Sequence, residues 1–191
     1  MGKKSNRKAQ PFAARRSAEP RPSGVRENAT RPGYRPDTPE QQDAPVTFEK
    51  SCGALVVRRD RTTGERYILM IRHRFGGYRS FPKGHTEPGE TERETAAREV
   101  LEETAAHITF IPDFRQVVLY HPMPGTVKQV VYFLAQTDSA AIAPREGEIA
   151  TVEWIPLEES MELLTHDNDR RILAAALHKL DSLAAPEHGQ A

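Results

Sequence analysis

The chain has 191 residues, and its 27 basic and 27 acidic side chains give a formal net charge of zero. This balance excludes a strong overall attraction to nucleic acid or to an anionic membrane, and a single cysteine, Cys52, excludes an intramolecular disulfide. No apolar run approaches the roughly 18–20 residues of a membrane span, and the basic N-terminus lacks the apolar core of a signal peptide, so we expect a cytoplasmic protein.

The first 46 residues differ in composition from the rest of the chain. They hold seven of the fifteen prolines, and residues 1–36 carry ten Lys or Arg against only Glu19 and Glu27. Such a segment predicts a disordered, basic, Pro-rich tail. The tail could contact RNA or another polyanion weakly, or it could serve only as a solubilising extension.

A folded domain is predicted over residues 47–183. It begins with two strands, residues 51–57 and 66–71, which are rich in β-branched and apolar residues. Residues 60–64 supply the turn between them. These features predict a pair of neighbouring strands at the start of the domain.

The next stretch, residues 84–106, opens as a Gly/Pro loop and closes as a helix. Thr91 followed by Glu94 is a capping-box pattern, which predicts a helix start near Thr91. Small and apolar residues follow at helical spacing, at positions 96, 97, 100 and 101. A helix with one buried face is therefore expected here.

Three glutamates of this helix, Glu99, Glu102 and Glu103, stand at i, i+3 and i+4 and therefore share one face. Carboxylates at this spacing repel one another, and a bound cation would reverse the repulsion. Ligands made only of oxygen suit a hard cation such as Mg²⁺ or Mn²⁺. The alternative is a solvated helix with its acidic side in water.

The remaining elements alternate between strands and helices. Strands are predicted over residues 115–121, 127–136 and up to 155. A short helix, residues 157–164, would have Pro156 in its first turn. A last helix, capped by Asp167 or Asn168, carries an apolar face formed by residues 172, 173, 176, 177 and 180. Residues 184–191 are expected to be flexible, and the whole predicts an α/β fold.

The polar residues of the 84–106 stretch occur in a distinctive order. Gly84 is followed after five residues by Glu90, and after seven more by Arg98-Glu99, with Glu102-Glu103 closing the pattern. This order resembles the Nudix box, the signature of hydrolases that act on nucleoside diphosphates linked to another moiety. The resemblance implies the Nudix fold, a mixed β-sheet sandwiched between helices, over residues 47–183. The family usually has Gly where this chain has Ala105.

The resemblance also implies roles for individual residues. Metal ligands would be Glu99, Glu102 and Glu103, joined by the carbonyl of Gly84, and Mg²⁺ (or Mn²⁺) would be the cofactor. Arg98 would orient the carboxylates through a salt bridge. The general base stays open between Glu103 and Glu148, a glutamate of the loop before the last strand, where Glu146 is the alternative to Glu148.

Within the family, the motif Phe81-Pro82-Lys83-Gly84-His85 resembles that of dinucleoside polyphosphate hydrolases, and it is also similar to those of diphosphoinositol polyphosphate phosphohydrolases and some oxidised-nucleotide pyrophosphatases. The similarity of residues 51–59 and 128–135 to the first group favours asymmetrical diadenosine tetraphosphate hydrolases, which would release ATP and AMP. Lys83, His85, Lys128 and Tyr120 are then the expected substrate-binding residues, with Lys128 on phosphate and Tyr120 on adenine. Alternative substrates are a diphosphoinositol polyphosphate, an oxidised nucleoside triphosphate or the 5′ end of an RNA. A nucleotide-sensing or RNA-binding module without catalysis is the non-enzymatic alternative.

Overall fold

The computed structural model of the protein describes residues 46–184. The tail expected over residues 1–46, its contact with a polyanion and the C-terminus expected to be flexible therefore lie outside the described residues, except for Val46 and Ala184. Ala184 is the last residue of the final helix.

The described chain forms seven strands and three helices. The strands are β1 (Thr47–Arg59), β2 (Arg66–His73), β3 (Arg79–Ser80), β4 (Lys83–His85), β5 (Thr109–Tyr120), β6 (Thr126–Gln136) and β7 (Ile149–Pro156). The helices are α1 (Glu92–Thr104), α2 (Ser160–Leu163) and α3 (Asp167–Ala184). Among these helices, none combines the length and the apolar character that crossing a lipid bilayer requires.

One mixed sheet organises the domain, with strand order β3-β2-β1-β6-β5. The long β1 pairs in parallel with β6 and antiparallel with β2, while its first half also pairs with the short β4. Strand β7 pairs with β2. The predicted first two strands and the mixed sheet are confirmed.

The sheet is covered on both faces because its strands are apolar on both sides. Leu55 and Val57 of β1 pack with Ile172 and Leu173 of α3. The alternate residues Ala54 and Val56 belong to the layer that contains Val100 of α1. Helices α1 and α3 therefore lie on opposite faces, as expected for the predicted sandwich.

Helix α1 begins and ends where local sequence chemistry predicts. The Thr91 hydroxyl accepts a hydrogen bond from the Glu94 backbone N–H, and the Glu94 carboxylate accepts one from the Thr91 N–H at 2.8 Å. At the other end Ala105 has φ 58°, and its N–H donates to the Leu101 carbonyl at 2.8 Å. This left-handed conformation costs a residue other than glycine roughly 1 kcal/mol.

Two sequence-based boundaries are wrong. Pro156 does not start a helix, because it ends β7 opposite Tyr67, and only Ser160–Leu163 become helical. Proline is tolerated there because β7 pairs with β2 alone in the described sheet, which leaves its outer edge without a ladder to interrupt. Helix α3 already includes Asp167, which was one of the two predicted caps. The first hydrogen bond of the helix runs from the Arg170 N–H to the His166 carbonyl, so the helix begins earlier than predicted.

Strand β5 also begins earlier than the predicted residue 115. It starts at Thr109, and its pairing with β6 shifts register between Phe110 and Arg115. Asp113, inside that irregular segment, has φ 57°. The bulge interrupts the apolar alternation on which the sequence-based boundary depended.

Candidate functional site

The site is built where β4 meets α1. The Lys83 backbone N–H donates to the Glu103 carboxylate at 2.9 Å. A Cβ added at Gly84 would overlap the Glu99 carboxylate, and one at Gly53 of β1 would overlap the Pro82 carbonyl and Lys83. These two glycines let β1, β4 and the helix glutamates approach one another closely.

Arg98 fastens the loop before α1 to the helix. Its guanidinium donates to the Glu90 carboxylate at 2.7 and 3.0 Å, to Glu99 at 2.7 Å and to the His85 carbonyl at 2.9 Å. The hydrogen bonds from Arg98, with a further one from Thr95, lower the pKa of Glu90 to about 2. Arg98 therefore contacts Glu99 and joins the loop to the helix, and its role in orienting the metal ligands stays a prediction.

Glu103 is a buried carboxyl, only 3% exposed. Burial, which is the main cause, and the negative charges of Glu99 and Glu148 together raise its pKa to about 7, although the charge and the backbone N–H of Lys83 oppose the rise. A buried carboxyl among like charges is a typical feature of a functional site.

The structure brings Glu148, but not Glu146, into the same electrostatic group. Arg145 lies 3.2 Å from the Glu102 carboxylate and 3.6 Å from that of Glu148, so it bridges helix α1 to the loop before β7. Glu146 is exposed and belongs to none of the ion pairs within residues 46–184. Glu148 therefore remains the stronger prediction for a base or ligand from this loop.

The predicted metal ligands differ in their exposure and in their ion pairs. Glu99 and Glu103 are both buried beside β4, whereas the Glu102 side chain is 39% exposed and faces Arg98 and Arg145. Within the described part of the chain, no three acidic, His or Cys side chains are already gathered closely enough to hold a metal. The oxygen-only donors and the Gly84 cradle nevertheless fit a divalent cation, which Glu102 would join by giving up its ion pairs.

Three of the four predicted substrate-binding residues lie together on β4, β5 and β6, whereas the fourth, Lys83, is close to Glu103. Tyr120 and Lys128 face each other across β5 and β6. The Lys128 ammonium lies 3.3 Å from the Glu49 carboxylate, and His85 lies 3.6 Å from the same carboxylate. The structure thus brings together Tyr120, Lys128 and His85, while the Lys83 charge acts on Glu103.

Asp169 is a buried carboxyl close to Lys83 and His166. It lies in the first turn of α3, it is 8% exposed, and burial raises its pKa while Lys83 and His166 oppose the rise. Within residues 46–184 no hydrogen bond or ion pair to its carboxylate is formed. Tyr78 packs edge-on against His166, with 5.4 Å between ring centroids, so this end of α3 is lined with polar and aromatic groups.

Sequence reasoning assigned no role to Glu90, Glu49 or Arg145. Glu90 carried a signal, since it occupies a motif position and its partner Arg98 was already named. Glu49 and Arg145 carried none, because each acts on a residue far away in sequence and close only through the sheet or a loop.

Comparison with known proteins shows which family the chain resembles. A family model described as the NUDIX domain matches residues 49–176. An asymmetrical bis(5'-nucleosyl)-tetraphosphatase of Sus scrofa is 30% identical over 146 residues, which cover 71% of this chain and 98% of the relative. An 8-oxo-(d)GTP phosphatase of Mycolicibacterium smegmatis is 34% identical over 94 residues, but they span only 49% of this chain and 28% of that relative.

Comparison of the fold with solved structures also finds an Ap4A hydrolase. The crystal structure of a C. elegans Ap4A hydrolase binary complex aligns with a TM-score of 0.63 and 24% identity, covering 70% of this chain and 98% of that one. Members of the family generally use divalent metal cations. The motif, the fold and the family match agree, and the chain belongs to the Nudix hydrolase family.

Proposed function

We propose that the protein is a Mg²⁺-dependent hydrolase of dinucleoside polyphosphates, and that it converts diadenosine tetraphosphate and water to ATP and AMP. The observation that carries the proposal is the pair of buried glutamates, Glu99 and Glu103, which are held against β4, the strand that also carries Lys83 and His85. Such a pair is costly to bury unless a cation compensates it.

The proposed reaction is a displacement at phosphorus. Water attacks the phosphorus next to one adenosine and forms a new P–O bond. The P–O bond that bridges this phosphorus to the rest of the chain breaks, so that AMP keeps the attacked phosphorus and ATP leaves. A bound Mg²⁺ would supply charge neutralisation of the phosphate chain and activation of the attacking water. Glu103 or Glu148 would take the proton from that water, and Arg98 would keep Glu99 in place throughout.

Two lysines near β4 would hold the rest of the substrate. Lys83 and Lys128 would direct positive charge towards the phosphate chain, and Tyr120, which is opposite Lys128 in the pairing of β5 with β6, would stack on a base. Similarity to the Sus scrofa tetraphosphatase over nearly its whole length supports this substrate.

A second candidate is an oxidised nucleoside triphosphate. Its support is the similarity to the M. smegmatis 8-oxo-(d)GTP phosphatase, which is limited to about half of this chain. The same carboxylates and lysines would serve, because the bond broken is again a phosphoanhydride. The two candidates differ in the length of phosphate chain that the site must accommodate.

The test is product analysis with the full chain, Mg²⁺ and a substrate panel. The panel contains diadenosine tetraphosphate, plain and 8-oxo nucleoside triphosphates, a diphosphoinositol polyphosphate and 5′-triphosphorylated RNA. The proposal expects ATP and AMP from diadenosine tetraphosphate as the preferred reaction, reduced at least a hundredfold in Glu103→Gln. Preference for another member of the panel would replace diadenosine tetraphosphate as the proposed substrate. If no member of the panel is hydrolysed, the result would favour a binding module without catalysis.

A further inference from the structure

Glu49 contacts two of the predicted substrate-binding side chains, which lie on different strands. Its carboxylate lies 3.3 Å from the Lys128 ammonium and 3.6 Å from His85 Nε2. Lys128 is its direct neighbour in the parallel pairing of β1 with β6, and His85 lies on β4 along the other edge of β1. We call these three residues the Glu49 cluster.

The cluster belongs to the face of the sheet that α3 covers. Lys128 shares this face with Val130 and Tyr132, because residues two apart in a strand point the same way, and both pack in the α3 layer. Glu49 shares it with Leu55 by the same alternation. Gly84, one residue from His85, instead meets Glu99 of α1. The phosphate chain of a substrate would therefore pass β4 to reach both the Glu49 cluster and the glutamates of α1.

The geometry leaves donors free for a substrate. A lysine ammonium has three N–H donors, and Glu49 occupies one direction, so two remain for phosphate oxygens. His85 directs Nε2 at Glu49 and keeps Nδ1 free. The Lys128 side chain is only 18% exposed, and pairing with Glu49 holds its flexible stem in one direction before any substrate arrives.

We propose that Glu49 is a positioning residue, which holds Lys128 and His85 ready for the phosphate chain of the substrate. It contacts no reacting atom, and it acts by reducing the conformational entropy that Lys128 loses on binding. The lowered pKa of Glu49, caused first by its hydrogen bond with Lys128, is consistent with a carboxylate that stays ionised. This inference rests on the proposed function, because it needs a polyphosphate substrate.

Two other roles are possible for a carboxylate in this position, and each predicts a different result. A simple ion pair that joins β1 to β6 would affect thermal stability and leave substrate affinity alone. A carboxylate that mainly repels phosphate would weaken binding, so that its removal would tighten it. Positioning predicts the opposite sign, namely weaker binding after removal.

The experiment compares Glu49→Gln, Lys128→Gln and the double variant with the wild-type full chain. For diadenosine tetraphosphate with Mg²⁺, we expect Glu49→Gln to raise KM about fivefold with kcat within about twofold. On the Lys128→Gln background the same change should raise KM by less than about twofold, because Lys128 is gone and only the longer contact of Glu49 with His85, at 3.6 Å, remains. Calorimetry with inorganic tripolyphosphate should give the same fold-changes in Kd without any turnover.

Glu153→Gln is the matched control, because Glu153 pairs with Arg79 at 3.2 Å and is 37% exposed, close to the 36% of Glu49. Its KM and tripolyphosphate Kd should equal those of the wild type. An unchanged or lower Kd in Glu49→Gln, or equal fold-changes in both backgrounds, would overturn the inference. If the wild type turns over no substrate, the proposed function fails, and the tripolyphosphate measurements still decide the role of Glu49.

Discussion

Arg98 and Glu90 form a two-point salt bridge, with Nε–Oε1 at 2.7 Å and Nη2–Oε2 at 3.0 Å. The bridge joins the loop after β4 to the middle of α1. The same guanidinium reaches Glu99 and the His85 carbonyl, so one side chain contacts both a predicted metal ligand and the backbone beside Gly84.

Replacing Arg98 with lysine should damage both stability and catalysis. A lysine keeps the charge but has three donors and no planar fork, so it would lose at least one of the four hydrogen bonds and the two-point contact with Glu90. We expect unfolding free energy to fall by about 2 kcal/mol and kcat to fall at least tenfold. Urea unfolding and steady-state kinetics would measure the two effects. Arg93→Lys, on the same helix but packed over Phe110 and Phe133, should leave kcat unchanged.

The two glutamates of the loop before β7 should differ in their importance. Glu148 acts electrostatically on Glu103 and pairs with Arg145, whereas Glu146 has neither relationship. Glu148→Gln should therefore lower kcat by about a hundredfold, as expected for the loss of a general base or a metal ligand. Glu146→Gln serves as the matched control and should stay within twofold of the wild type. Equal kinetics for the two variants would remove Glu148 from the mechanism.

Ala105→Gly should stabilise the protein. Ala105 has φ 58°, a conformation that glycine adopts without the steric cost paid by alanine. The gain should be about 1 kcal/mol, which corresponds to a rise in Tm of about 3 °C for a domain of this size. Ala97→Gly, inside the same helix, should lower Tm by a similar amount because glycine weakens helix interiors. A lower Tm in Ala105→Gly would contradict the observed cap.

Acid should weaken the contribution of Glu92 to stability. Hydrogen bonds from Arg115, opposed by burial and assisted by Lys50, lower the pKa of Glu92 from 4.5 to about 2. The folded state therefore prefers the ionised form, so the stabilisation is complete above pH 4.5 and is lost as the pH falls towards 2.

Urea unfolding of Glu92→Gln across this range would test that dependence. The difference in unfolding free energy between the wild type and the variant should shrink from pH 4.5 downwards and vanish near pH 2. Glu158→Gln is the control, because Glu158 forms no ion pair or side-chain hydrogen bond within residues 46–184. A difference for Glu92→Gln that does not change with pH would show that the ion pairs with Arg115 and Lys50 do not stabilise the fold.

The sequence by itself determined the features that depend on neighbours along the chain. Thr91 and Glu94 cap α1 because the two residues lie three apart, and Glu99 and Glu103 share a face because a helix turns every 3.6 residues. The main strands and helices followed from local patterns of apolar residues, and the Nudix fold was implied by the resemblance of the motif to the Nudix box.

Only the tertiary structure decided which distant groups meet. Glu49 reaches Lys128 because β1 and β6 run parallel in one register, and Arg145 reaches Glu102 because a loop folds back over α1. The difference between Glu99, buried against Gly84, and Glu102, exposed towards two arginines, also depends on what packs beside the helix. Long-range pairing and burial arise from the packing of the whole domain, and short-range spacing in a sequence carries no information about them.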